Sequence, residues 1–194
     1  MKILTNLLLM TSSLIISCSD HERVPNTYPA EFLTPNTILG VNYAQSDNGF
    51  SDLELETYIN VFISEWSKKY PYDEVKIKRT LSLVEFHWQP NVFRSPSQPW
   101  DSRTFLGYTQ PGSFVDQVNL NKIYVFIALA DGSERFPIEQ TSLGHELVHI
   151  FLGAMTGNME PDHLNSGTNK WPLDYERFLS RVRAVYLIKM ETYE

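Results

Sequence analysis

Apolar positions along the chain recur with a changing period, and each period predicts an element. Leu55, Tyr58, Ile59, Phe62, Ile63 and Trp66 follow i, i+3, i+4, i+7 spacing behind the capping box Ser51-Asp52-Leu53-Glu54. That pattern predicts an amphipathic helix that ends by Tyr70-Pro71 and turns its aromatic residues to a core. Val75 and Ile77 alternate with Lys76 and Lys78, which predicts a half-exposed strand. Leu81 to Trp88 is a second strand-like run or its continuation, and His87 within it reads as a structural histidine. Residues 89–121 are rich in Pro, Ser, Gln, Asn and Gly, predicting a long structureless segment, either a cleft wall or a variable surface excursion. The apolar run Lys122 to Ala130 predicts a strand closed by the turn signal Asp131-Gly132. From Pro172 onward, Tyr175, Phe178, Leu179, Val182, Val185 and Tyr186 return to helical spacing and predict a closing helix packed on the core. Arg177, Arg181 and Arg183 form its solvated face.

Between that strand and the closing helix lies Leu143-Gly144-His145-Glu146-Leu147-Val148-His149, an H-E-x-x-H pattern. Pro137 suits a first helical position, and Gly157-Asn158 a C-terminal stop. Leu143, Leu147, Ile150, Phe151 and Ala154 share one apolar face, with His145, His149, Leu152 and Thr156 on the opposite side. Helical residues four apart lie one above the other, so His145 and His149 offer two imidazoles to one metal ion. Glu146, about 100° further round the helix, is poorly placed as a third ligand but well placed as a base toward an attacking water. Gly144 leaves room beside the first histidine for a neighbouring strand or a substrate.

These residues, over about 122–163, resemble the zincin metallopeptidases, in which a strand precedes an H-E-x-x-H helix and a third ligand lies downstream. Leu152 and Met155 stand where metzincins have Gly and His, so the resemblance does not extend to that group. Met159-Glu160-Pro161-Asp162-His163 is similar to a loop in bacterial zinc peptidases that supplies its third ligand from a Pro-Asp-His sequence. His163 is therefore the leading third ligand, beside His145 and His149. Asp162 is an alternative, or an acceptor for a ligating imidazole. Glu176 is the thermolysin-like alternative and Glu160 a weaker one. The resemblance implies a single α+β domain over residues 38–194, with a small mixed or antiparallel sheet packed on the motif helix and further helices. It implies a zinc cofactor, Glu146 as catalytic base and hydrolysis of a peptide bond. It also implies an extended peptide or protein substrate added to a free edge of the strand 122–130. An extra donor to the oxyanion is expected, with Tyr175 as a candidate.

Two other features bear on where this chemistry takes place. Lys2 and the interrupted apolar run Ile3 to Ile16 end in Ile15-Ile16-Ser17-Cys18, which resembles a lipobox. Residues 1–17 then read as a signal peptide, and Cys18, the single cysteine, as the lipidated residue. Residues 18–37, with Pro25, Pro29 and Pro35, read as an extended tether in which His21 is solvated. The implied location is the bacterial cell envelope, anchored by acyl chains, with Asp20 favouring the outer membrane facing the periplasm. The net charge of −7 argues against nucleic acid and supplies no basic patch for anionic lipid. Two other function classes stay open: a non-catalytic envelope lipoprotein that binds or scaffolds, and a zinc amidase acting on a non-protein amide such as one in peptidoglycan. Because the anchor is read at Cys18, Cys18→Ser is expected to move the protein into the soluble fraction. Retention in membranes after a high-salt wash would place the anchor elsewhere.

Overall fold

The structure is a computed structural model that describes residues 32–33, 37–39, 41–42, 44–46, 49–94, 104–111, 122–157, 159, 172 and 174–193. The residues read as signal peptide, Cys18, and the candidate ligands Glu160, Asp162 and His163 lie outside the described residues. The chain is α+β. Four short strands come first: β1 (Phe32–Leu33), β2 (Thr37–Ile38), β3 (Val41–Asn42) and β4 (Ala44–Ser46). Helices α1 (Asp52–Ser67) and α2 (Glu74–Leu81) lead to β5 (Val84–Gln89), β6 (Phe93–Arg94), β7 (Thr104–Phe105) and β8 (Gly107–Pro111). Then come β9 (Ile123–Ala128), the small hairpin β10 (Ala130–Asp131) and β11 (Glu134–Arg135), and helices α3 (Leu143–Thr156) and α4 (Tyr175–Met190).

The main sheet has the order β1-β4-β5-β9-β8. β4, β5 and β9 run parallel, and β1 and β8 pair antiparallel at the two ends. β1 thus brings residues read as tether into the sheet. β9 is buried along its whole length, as a continuous apolar run requires when both neighbours and both faces are covered. Its expected free edge is therefore not there: β5 occupies one side and β8 the other. Among the described residues the outer strand on that side is β8, drawn from the segment expected to lack structure. Pro111, which cannot donate to a ladder, suits an edge position.

Side chains alternate across the sheet. Val84, Phe86 and Trp88 of β5 join Ile123, Val125 and Ile127 of β9 in the main core with the helices. On the other face, Tyr124, Phe126 and Ala128 make a smaller cluster with Phe93, covered by Val92, Phe105 and Tyr108. The main core is aromatic where three helices meet. Phe62 of α1 lies 5.1 Å from Phe178 of α4 and 5.0 Å from Phe151 of α3, ring centroid to centroid. Tyr58 meets Tyr186 at 5.3 Å. The Ser51–Glu54 capping box forms as expected. At the far end Tyr70 donates to Asp174 at 2.7 Å and Lys69 pairs with the same carboxylate, tying the exit of α1 to the entry of α4.

Two expectations are corrected. Residues 75–78 are not a strand but part of α2. The Asp73 carboxylate accepts from the N–H groups of Val75 and Lys76 at 3.0 and 3.1 Å, capping a helix start. Ile77 and Leu81, four apart, are its buried face, while Val75 is 76% exposed. Four alternating residues do not separate period 2 from period 3.6, and the cap decides. The motif helix also begins later than Pro137. That proline precedes a 3₁₀ turn (Ile138–Gln140), Thr141 is extended, and α3 starts at Leu143. α3 is buried on more than its apolar face: Val148, His149 and Leu152 are buried as well.

Gly144 makes room for neither a strand nor a substrate. A Cβ there would stand 2.6 Å from Tyr58 Oη and 3.0 Å from Leu179 Cδ2, so the missing side chain lets α1 and α4 close onto α3. Gly144→Ala is expected to lower stability by about 1–3 kcal/mol through overpacking, against its gain of roughly 1 kcal/mol in helix propensity. Tyr58→Phe should recover part of that loss. Thermal or denaturant unfolding of the two variants checks it, and a stabilised Gly144→Ala would refute it.

Candidate metal centre

α3 carries His145 and His149 on adjacent turns, and their Nε2 atoms face each other at 3.3 Å. Two ligands at about 2.0–2.1 Å from a tetrahedral zinc ion stand about 3.3–3.4 Å apart, so the pair fits that metal's geometry. The second histidine is oriented from behind: His149 Nδ1 lies 2.6 Å from the backbone carbonyl of Met159. A carbonyl can only accept, so Nδ1 carries the proton and Nε2 keeps its lone pair for a ligand. His149 is buried and His145 half-buried, with the two rings inclined at 69°. Among the described residues no third His, Cys, Asp or Glu joins the pair in a metal-holding group. Glu176, the alternative ligand from α4, is exposed.

Glu146 points away from water. It is 3% exposed, and its Oε2 accepts a 2.7 Å hydrogen bond from Thr109 Oγ1 on β8. Burial pushes its carboxyl up to about 8, with the Thr109 hydroxyl pulling partly in the opposite direction. The register explains the contact. Thr109 pairs with Val125 and Gly107 with Ile127, so both β8 residues face the helix side of the sheet. A Cβ at Gly107 would overlap Ser142 Oγ and stand 2.5 Å from Glu146 Oε1. Only glycine lets the strand come this close to the first turn of α3. Ser142 Oγ donates to the Leu106 carbonyl at 2.7 Å and fastens the same junction.

Tyr175, at the start of α4, lies edge-on to His145 with ring centroids 6.0 Å apart. A hydrogen bond to Glu176, with burial added, raises its phenol above the ordinary range. The Tyr175 ring thus stands beside His145. His87 belongs elsewhere. It is buried on the opposite face of the sheet, 5.2 Å from the Phe126 ring and 3.7 Å from Glu85 Oε2. Burial alone would raise the Glu85 carboxyl, but the ion pair with Lys122 at 2.7 Å and the nearby His87 outweigh it and hold the group low.

Sequence reasoning missed Thr109, Gly107 and the Met159 carbonyl. The one cue for the first two was a short Thr/Phe/Tyr-containing stretch, 104–109, inside a segment rich in turn formers. Because Thr109 is the buried partner of Glu146, Thr109→Val is expected to destabilise the protein by about 1–3 kcal/mol by leaving a polar group unsatisfied. Combining it with Glu146→Met should relieve much of that cost. A double-mutant cycle of unfolding free energies checks it, and strict additivity would show that the two side chains are not coupled.

Comparison of the chain with family models, with curated proteins and with solved structures finds no match in any of the three.

Proposed function

We propose that this protein is a zincin-like, zinc-dependent peptidase, held at the bacterial envelope through Cys18. The observation that carries the proposal is the pair His145 and His149, with Nε2 atoms 3.3 Å apart and the His149 ring held in the tautomer that puts its proton on Nδ1. His163 is proposed as the third ligand. It follows Met159, whose carbonyl is bonded to His149, by four positions in the sequence.

Zinc bound there would polarise a substrate carbonyl and make water a nucleophile near neutral pH. Glu146 is the base that takes the water's proton and passes it to the leaving amine. Tyr175, beside His145, would serve as the auxiliary donor by exchanging its hydrogen bond to Glu176 for one to the substrate oxygen. The substrate is an extended peptide laid along the outer side of β8, the edge strand next to Glu146, by strand addition.

Glu146→Gln in the full-length chain is expected to keep zinc content and thermal unfolding near wild type. Cleavage of a mixed peptide library should drop about 10²–10⁴-fold. Equal residual cleavage in both proteins would identify a contaminating protease. Zinc-loaded wild type that cleaves neither peptides nor cell-wall fragments would favour the non-catalytic lipoprotein, and cleavage of cell-wall fragments alone would favour the amidase. His163→Ala should weaken zinc binding severely and Glu176→Ala little. The reverse order would move the third ligand to α4.

A further inference from the structure

His149, Gly153 and Gly157 are four residues apart and lie on one stripe of α3. Gly157 ends the helix in the left-handed region, with φ at 77° and its N–H bonded to the Gly153 carbonyl at 2.8 Å. Such a stop reverses the chain, and Met159, two residues later, returns along the same stripe. A Cβ on Gly153 would overlap Met159 Cγ and stand 3.3 Å from Met159 Cβ. The methionine therefore fills the place that a side chain at 153 would take, and it packs on the main core. One turn earlier along the stripe, its carbonyl meets His149 Nδ1 at 2.6 Å.

We propose that Met159, seated on Gly153, is a positioning residue that fixes the tautomer and ring orientation of His149, and so aims the donor pair. The functional consequence rests on the metal-centre reading, whereas the tautomer itself does not. A side-chain substitution cannot delete the carbonyl, but it can remove its seat. Gly153→Ala puts a methyl group where Met159 lies and pushes the carbonyl off His149, although alanine is the better helix former. Loss of the group that orients a ligating imidazole typically costs 10–100-fold in metal affinity. Gly153→Ala is expected to cost that much while helical content holds or rises. Removing the obstruction as well, in Gly153→Ala/Met159→Ala, lets the backbone return.

The test uses full-length protein with ¹⁵N-labelled histidine, metal-free, at a pH where imidazole is neutral, with His149→Gln to assign the signal. Long-range proton–nitrogen correlation distinguishes the Nδ1–H from the Nε2–H form. Competition with a chromophoric chelator gives the zinc affinity, and circular dichroism the helical content. The expected result is an Nδ1–H His149 in the wild type, loss of that form and of zinc affinity in Gly153→Ala, and recovery of both in the double variant. Gly153→Ala that keeps the Nδ1–H form overturns the proposal, as does a double variant that fails to recover it. If the tautomer is lost and regained as expected but no variant, nor the wild type, takes up zinc, the positioning role stands and the metal reading falls.

Discussion

A carboxyl group removed from water needs a hydrogen-bond partner, and for Glu146 that partner comes from Thr109, 37 residues earlier in the chain. The bond requires β8 to lie against the first turn of α3, and β8 does so as the antiparallel edge of the sheet beside β9. The approach is possible because position 107 has no side chain. The same bond sets the character of the site. Deep burial raises the carboxyl's pKa, and the Thr109 hydroxyl opposes the shift.

The core behind the motif helix is aromatic. Phe62, Trp66, Phe151 and Phe178 interlock three helices, and Tyr58 reaches the bare backbone of Gly144. This packing fixes the roll of α3 about its own axis. With the roll fixed, His145 turns toward Tyr175 at the head of α4, and His149 toward the chain that leaves the helix. Three glycines on two elements serve one end: Gly144 of α3 admits α1 and α4, Gly107 lets β8 approach, and Gly153 of α3 admits Met159. In each case the missing side chain marks a neighbour that must come close to the motif helix.

Much of this is local and therefore legible in the sequence. The capping box at Ser51, the apolar period of α1 and α4, the unbroken apolar run of β9 and the stop at Gly157 all depend on residues within a turn or two of one another. The placement of His145 and His149 on one face is of the same kind, since it follows from helical pitch alone. The Asp73 cap of α2 was equally local, but Val75 and Ile77 mimicked a strand over too short a span to be separated from a helix.

The tertiary structure decided what pitch and period do not contain. Thr109 faces Glu146 only because β8 pairs with β9 in one register; a slip of one residue would turn Tyr108 or Gln110 to the helix instead. Among the described residues the sheet edge lies at β8 rather than at β9 for the same reason. Whether a glycine admits a ligand, a strand or a methionine is likewise set by what packs against it. Sequence by itself determined which side chains could act together on one helix, because their spacing is built into the backbone. Which groups orient them, bury them and limit access to them was left to long-range pairing, where residues far apart in the chain compete for the same space.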